Sequence, residues 1–189
     1  MNQIIAWNES IHFPAFAAEF ETTLRELEEA NSSVADKMMD MHTIWEFLAT
    51  LAVVGLLTGF SEEIFFRGGL QNIFVDGHAR KWIAVWGTAL IFSAMHFQFF
   101  GFVPRVLMGA FFGYLLVWSG SLWPAIFAHI LNNSIVVITM WMSGGKVDNG
   151  IDSFGVAVGN AFPMAAVGSC IATTLFLWGF RNYFFKTKR

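Results

Sequence analysis

The sequence predicts an all-α polytopic membrane protein: a transmembrane bundle of about five helices preceded by an N-terminal amphipathic helical segment. Of the 189 residues, 56% are hydrophobic and only 13% are charged. Soluble domains carry about 25% charged residues, so this composition excludes an ordinary soluble domain. The second observation is that apolar runs recur along the chain, each near the ~20 residues that a membrane-spanning helix needs.

Five apolar runs are candidate spans. The first covers residues 43–60 and continues into the charged stretch "GFSEEIFFRGGL" at 59–70. The other four cover residues 82–100, 102–118, 122–142 and 162–180. The polar stretches 75–81 and 143–159 between spans predict loops. Two glycine pairs with a spacing of four, Gly55 with Gly59 and Gly109 with Gly113, predict close approach of packed helices.

The first 42 residues differ in kind from the rest. They contain eight acidic residues against two basic ones, Arg25 and Lys37. Between residues 13 and 41, apolar residues recur at spacings near three, four or seven, which predicts one or two amphipathic helices. Such a helix either packs on the bundle or lies at the membrane interface. The chain is thus expected to divide into an acidic amphipathic segment, 1–42, and a transmembrane domain, 43–189.

The distribution of basic residues predicts the orientation. Lys and Arg near span ends favour the cytoplasmic side, and four of them follow the last span, namely Arg181, Lys186, Lys188 and Arg189. We therefore expect a plasma-membrane protein with a cytoplasmic C-terminus, residues 1–42 outside, and Arg80 and Lys81 inside. The chain has no basic face for nucleic acid, and its single cysteine, Cys170, excludes an internal disulfide framework.

Three charged residues follow the first apolar run. A charged side chain at the centre of a membrane helix costs ~2.5–3.5 kcal/mol, so Glu62, Glu63 and Arg67 need an explanation. Glu63 and Arg67 are four residues apart, on one helix face, and form an expected ion pair. Glu62 points ~100° away from Glu63 and has no partner in its own helix.

Two other spans carry inward polar groups. His96 follows Phe92 by one turn in the second span, and His129 precedes Asn132 and Asn133 in the fourth. Either histidine alone fits an interhelical hydrogen bond as well as a catalytic role. A carboxylate, two imidazoles and an amide that converge in a bundle could activate water and bind an oxyanion. Helix geometry does not choose between the two asparagines.

The three polar sites form an ordered set of motifs. "EEIFFR" (62–67), "FSAMH" (92–96) and "HILNN" (129–133) match Glu-Glu-x-x-x-Arg, Phe-x-x-x-His and His-x-x-x-Asn. Over residues 43–140 the chain resembles the CAAX protease and bacteriocin-processing (CPBP/Abi) family of intramembrane glutamic proteases, which includes the Ras-converting CAAX endopeptidase. Members commonly have more membrane helices than the five counted here.

The resemblance implies a mechanism and a substrate class. In it, Glu62 and His96 activate a water, while His129 and Asn133 stabilise the oxyanion. Glu63, Arg67 and Phe92 support the site. The resemblance implies no metal and no other cofactor. The expected partners are membrane lipid and a peptide or C-terminal protein tail, either prenylated or bacteriocin-like.

Two other functions remain open from the residues. A zinc-dependent membrane protease could use Glu62, His96 and His129 as ligands, although the sequence has no His-Glu-x-x-His motif. A non-catalytic scaffold, immunity protein or transporter is the alternative from another class. Transport predicts an internal repeat or paired broken helices, and the sequence has no convincing repeat.

Overall fold

The computed structural model describes Trp7 and residues 10–76, 80–99, 101–144 and 164–187. Every regular element in these ranges is helical, which confirms the predicted all-α class. A 3₁₀ turn, Ala15–Ala17, leads into six helices. They are α1 (Ala18–Met39), α2 (Ile44–Val75), α3 (Lys81–Ala94), α4 (Phe102–Ser119), α5 (Trp123–Met142) and α6 (Met164–Thr187).

Three of the described helices are long and apolar enough to cross a membrane: α2, α4 and α5. They support an integral membrane protein, whereas the predicted number of five spans is not confirmed. The predicted span 82–100 is wrong at its C-terminal end, because α3 has only 14 residues, a length of about 21 Å. Residues 145–163, which include most of the predicted Gly-rich loop, lie outside the described ranges.

Helix α3 ends in a tight turn that the apolar sequence does not predict. The amides of His96 and Phe97 bond back to the carbonyls three residues earlier, on Ser93 and Ala94. Phe97 has a φ of 52°, a left-handed conformation that a helix cannot continue. His96 therefore lies just beyond the helix end, where a residue of the bundle can meet solvent or substrate.

The long helix α2 begins with a capping box. The side chain of Thr43 accepts from the Glu46 amide at 3.3 Å, and the Glu46 carboxylate accepts from the Thr43 amide at 2.8 Å. Further along, two π-helical segments, Leu51–Thr58 and Ile64–Leu70, flank an α-helical turn, Gly59–Glu63. π-Helical hydrogen bonding is rare and recurs at functional sites. Here it brackets the two adjacent glutamates.

The glycine pairs bring the helices together as predicted. A Cβ at Gly59 would lie 3.0 Å from the backbone nitrogen of Ile130 on α5, and one at Gly55 would lie 2.9 Å from Ser134 Oγ. A Cβ at Gly109 would lie 3.2 Å from the Ala89 backbone on α3. Backbones can approach this closely only where a side chain is absent. These glycines thus set the short distances between α2 and α5 and between α3 and α4.

Helix α1 lies over one end of the bundle. At its beginning the Phe13 ring packs on Phe99 in the α3–α4 loop, with 5.4 Å between ring centroids. At its end the Thr50 hydroxyl of α2 donates to the Met38 carbonyl at 3.1 Å. The helix confirms the predicted amphipathic segment, but the apolar residues Phe20, Leu27 and Val34 are exposed rather than packed. Of the two positions left open by the sequence, this exposure favours the membrane interface.

Candidate active site

Glu63 and Arg67 form a buried ion pair at the centre of the bundle. Arg67 Nη1 lies 2.8 Å from Glu63 Oε1, and both side chains are fully buried, which confirms the pair expected from the spacing. Arg67 Nη2 donates to the Gly109 carbonyl of α4 at 2.9 Å. Three aromatic rings surround the guanidinium and shield it from lipid, namely Phe66, Phe92 and Phe112.

Glu63 has a second partner on another helix. His129 Nδ1, on α5, lies 2.7 Å from Glu63 Oε1. A carboxylate held by an arginine accepts hydrogen bonds, so Nδ1 is the donor and Nε2 is left to face elsewhere. The buried imidazole also stacks on Phe112, with ring centroids 4.7 Å apart. Helix geometry predicted only the Arg67 contact, because one sequence does not give the distance between helices.

His96 is oriented by its own helix end. Its Nδ1 lies 2.8 Å from the Phe92 carbonyl, which can only accept, so Nδ1 carries the hydrogen. The Phe92 ring meets the imidazole edge-on at 4.8 Å between centroids. The free Nε2 lies 4.0 Å from Glu62 Oε1. The turn after α3 thus directs His96 Nε2 toward Glu62 on α2.

Glu62 lies between the two histidines. While Oε1 faces His96, Oε2 lies 3.6 Å from His129 Nε2. Glu62 Oε2 is buried and has no hydrogen-bond partner in the described part of the chain. Both separations exceed a direct hydrogen bond, and a small widening of the gap would admit a water between the groups. A cavity of about 460 Å³ opens here, lined by Ser61, Glu62, Phe65, Phe66, Met95 and His96.

Asn133 lies one turn beyond His129 on α5. Its Nδ2 donates to the Val54 carbonyl at 3.2 Å, and its Oδ1 accepts from Asn132 Nδ2 at 3.3 Å. One of the two amide hydrogens of Asn133 is thereby used, and a second remains. The side chains of Glu62, His96 and His129 thus lie within 4.0 Å of one another through Glu62. Asn133 has no such contact with them and is placed nearby only because it lies one turn after His129 on α5.

A second arginine near the site was missed by the sequence analysis. Arg105 lies in the first turn of α4 and donates through Nη2 to Gln98 Oε1. Its charge interacts electrostatically with Glu62 and with Glu28 of α1. The signal that indicates this residue is a single charge within the apolar run 102–118. Arg105 thus adds a second positive charge near the two adjacent glutamates.

Within the residues that the structure describes, no group of three or more His, Cys, Asp or Glu side chains is arranged to hold a metal ion. The zinc alternative thus has no preformed ligand set in these ranges.

A known protein family resembles the part of the chain that carries the three motifs. Residues 44–135 match the family model of Rce1-like type II CAAX prenyl endopeptidases, a range that contains all three motifs. An uncharacterised protein of Bacillus subtilis (strain 168), YpbD, is 31% identical over 84 residues, which are 42% of this chain and 40% of YpbD. The aligned stretch thus spans less than half of that relative, and no solved structure matches. Over residues 44–135, just under half of its length, this membrane protein is thus similar to the Rce1-like type II CAAX prenyl endopeptidases.

Proposed function

We propose that the protein is an intramembrane endopeptidase of the CAAX type, in which Glu62 and His96 activate a water for attack on a peptide bond. The proposal depends mainly on one observation: each oxygen of Glu62 faces an imidazole Nε2, at 4.0 Å from His96 and 3.6 Å from His129. His96 donates through Nδ1, so its Nε2 is an acceptor when the ring is neutral, whereas His129 must carry a hydrogen on Nε2 as well in order to donate to an oxyanion. A water that donates to Glu62 and to His96 Nε2 has its oxygen lone pairs free for attack.

The chemistry follows from these contacts. Glu62 takes a proton from the water as its oxygen attacks the carbonyl carbon. The negative charge that forms on the carbonyl oxygen is stabilised by His129, in its imidazolium form, through Nε2–H, and by the second N–H of Asn133. Glu63 stabilises that imidazolium through the 2.7 Å bond to Nδ1. Glu62 then returns its proton to the leaving amine, and the carboxylate is restored.

The substrate class follows from the family rather than from the cavity. A family of CAAX prenyl endopeptidases supports peptides presented at a membrane, either prenylated C-terminal tails or bacteriocin-like peptides. Membrane lipid surrounds the apolar faces of α2, α4 and α5. The basic residues near Arg181 support a cytoplasmic C-terminus in the plasma membrane.

The experiment is a cleavage assay with a membrane-presented peptide library. Purified protein in liposomes is incubated with the library, and new peptide termini are identified by mass spectrometry. Glu62→Gln keeps the shape of the side chain but removes the base, so cleavage is expected to stop. Glu26→Gln, an exposed glutamate on α1, is the matched control and is expected to keep full activity. Products that persist with Glu62→Gln would contradict the catalytic assignment of Glu62, and an absence of products with the wild-type protein would favour a non-catalytic function.

A further inference from the structure

The imidazole of His129 lies flat against the ring of Phe112, a residue of α4 that none of the three motifs contains. The ring centroids are 4.7 Å apart, and the two planes are inclined by only 18°. Phe112 is 1% exposed, and its side chain packs with Leu115 and Ala125 in one apolar cluster. The ring cannot move away from the imidazole without displacing these neighbours. Phe112 thus forms a rigid wall beside the histidine.

Two side chains of α2 hold the turn of α4 that carries Phe112. Arg67 Nη2 donates to the Gly109 carbonyl at 2.9 Å. One turn further along both helices, Gln71 Nε2 donates to the Gly113 carbonyl at 3.3 Å. The glycine allows this close approach, because a Cβ on Gly113 would lie 2.8 Å from Gln71 Oε1. The position of Phe112 relative to α2 is therefore set on both sides of it in the chain.

The polar contacts of His129 lead back to α2. Its Nδ1 lies 2.7 Å from Glu63 Oε1, and its Nε2 lies 3.6 Å from Glu62 Oε2. Both nitrogens face these carboxylates only in a narrow range of ring orientations, yet the torsion that rotates an imidazole has broad minima. The plane of the ring must therefore be fixed by its neighbours. Phe92 meets the imidazole edge-on at 6.0 Å between centroids, whereas Phe112 covers a face of it.

We infer that Phe112 is a positioning residue for His129, because its ring fixes the imidazole plane so that Nε2 is directed at the oxyanion. The inference rests on the proposed function and adds a residue to its site. The face of an aromatic ring also attracts a cation, and the proposed oxyanion contact uses His129 as an imidazolium. Phe112 acts through the histidine, so its effect belongs to the step in which negative charge forms and not to peptide binding.

The first test is kinetic. Phe112→Leu keeps an apolar side chain on α4 but removes the flat face. The probe is a quenched-fluorescence peptide that contains S-farnesyl-cysteine, one of the tails proposed above, presented in liposomes. A misdirected imidazole weakens a contact that exists only in the transition state, so kcat should fall about tenfold to hundredfold while KM stays nearly unchanged. Phe112→Tyr keeps the flat ring and should retain most of the turnover.

Phe111→Leu is the matched control. Phe111 precedes Phe112 on α4 and packs against the same apolar cluster, but it has no part in the proposed site. This variant should lose some stability without the loss of kcat. Melting temperatures of all variants are measured, and turnover is recorded below their unfolding transitions. Equal kcat values for Phe112→Leu and Phe111→Leu would overturn the inference. A Phe112→Tyr protein as slow as Phe112→Leu would also overturn it.

A spectroscopic test does not require cleavage, so it separates this inference from the proposed function. In protein labelled with nitrogen-15 histidine, the proton on His129 Nδ1 is assigned by its absence from the spectrum of His129→Gln. In Phe112→Leu this proton should exchange with water at least about tenfold faster than in the wild-type protein, because the ring is no longer held in its plane. In Phe111→Leu its exchange rate should be unchanged.

Unchanged exchange in Phe112→Leu would overturn the inference, whether or not the wild-type protein is a protease. The expected exchange pattern in a wild-type protein that cleaves no peptide would support the positioning of His129 by Phe112 and contradict the proposed function alone.

Discussion

Glu63 Oε1 accepts two hydrogen bonds, one from Arg67 Nη1 at 2.8 Å and one from His129 Nδ1 at 2.7 Å. One carboxylate oxygen thus joins the ion pair of α2 to the histidine of α5. Glu62, its neighbour in the chain, has no such bonds and faces the cavity. The two adjacent glutamates therefore occupy different environments, and their substitutions should have different consequences.

Glu63→Gln should destabilise the protein more than Glu62→Gln. Removing the charge of Glu63 leaves Arg67 buried without a counterion, and breaking a buried pair in this way costs about 3–5 kcal/mol. Glu62→Gln removes only a partly exposed charge, so we expect a folded and inactive protein. Melting temperature, folded yield in detergent and turnover of both variants test this expectation.

A double variant separates the charge effect from the shape of the side chain. Arg67→Met in the Glu63→Gln background removes the unpaired cation, so the double variant should melt above Glu63→Gln alone. Equal loss of stability in Glu62→Gln and Glu63→Gln would contradict the division of roles. Full turnover by Glu62→Gln would contradict the catalytic assignment.

Gly59→Ala should loosen the contact between α2 and α5. The new Cβ would lie 3.0 Å from the nitrogen and 3.1 Å from the Cα of Ile130, and a backbone cannot yield as a side-chain tip can. Overpacking of this kind costs about 1–3 kcal/mol. Because Ile130 is next to His129, turnover should fall as well. Melting temperature and kcat of the purified variant are the measurements.

Gly179→Ala is the matched control, since nothing lies within 4 Å of the Cβ that it adds to α6. Alanine is the better helix former by about 1 kcal/mol, so this variant should melt at or above the wild-type temperature. If both variants behaved alike, the close α2–α5 approach would have no energetic role.

Local patterns in the sequence predicted the parts of the site that depend on one helix. The Glu63–Arg67 pair follows from a spacing of four, and the glycine pairs follow from the same spacing. The contact between His129 and Glu63 could not be predicted, because it depends on the distance and rotation of two helices. Similarly, nothing in the single sequence distinguishes the π-helical register of Ile64–Leu70 from an α-helical one.

The end of α3 shows a second kind of limit. Residues after Ala94 remain largely apolar, so hydropathy extended the span to residue 100. The chain turns there because Phe97 adopts a left-handed φ, a choice that depends on tertiary contacts rather than on composition. Arg105 was overlooked for a related reason, since one charge hardly lowers the average hydropathy of an 18-residue helix.

Hydrolysis should persist in the presence of a metal chelator. The proposed mechanism uses Glu62 and His96 directly, and the carboxylate–imidazole separations of 3.6 and 4.0 Å place the proposed base beside both rings. Turnover is measured before and after treatment with the chelator, and again after added zinc. A lasting loss that zinc restores would favour the zinc-dependent alternative.

The contact between Glu21 in α1 and the Phe13 amide should be lost at acidic pH. Hydrogen bonds from the Phe13 amide, and then from Arg25 and His12, lower the pKa of Glu21 from 4.5 to about 2. A carboxyl group whose pKa is lower in the folded state stabilises the fold at pH values above its pKa in the unfolded chain. This contribution is lost as the pH falls from 4.5 through 2. Hydrogen-exchange protection of the Phe13 amide should fall over this window. In Glu21→Gln the protection should lack this pH dependence.

The topology can be tested with two residues separated by a single long helix. Glu26 lies on α1 and Arg80 lies after α2, so if α2 spans the membrane they lie on opposite sides, whatever the total number of spans. In a Cys170→Ala background, the basic residues predict that Glu26→Cys reacts with an impermeant thiol reagent on intact cells, whereas Arg80→Cys reacts only after permeabilisation. The opposite pattern would invert the orientation.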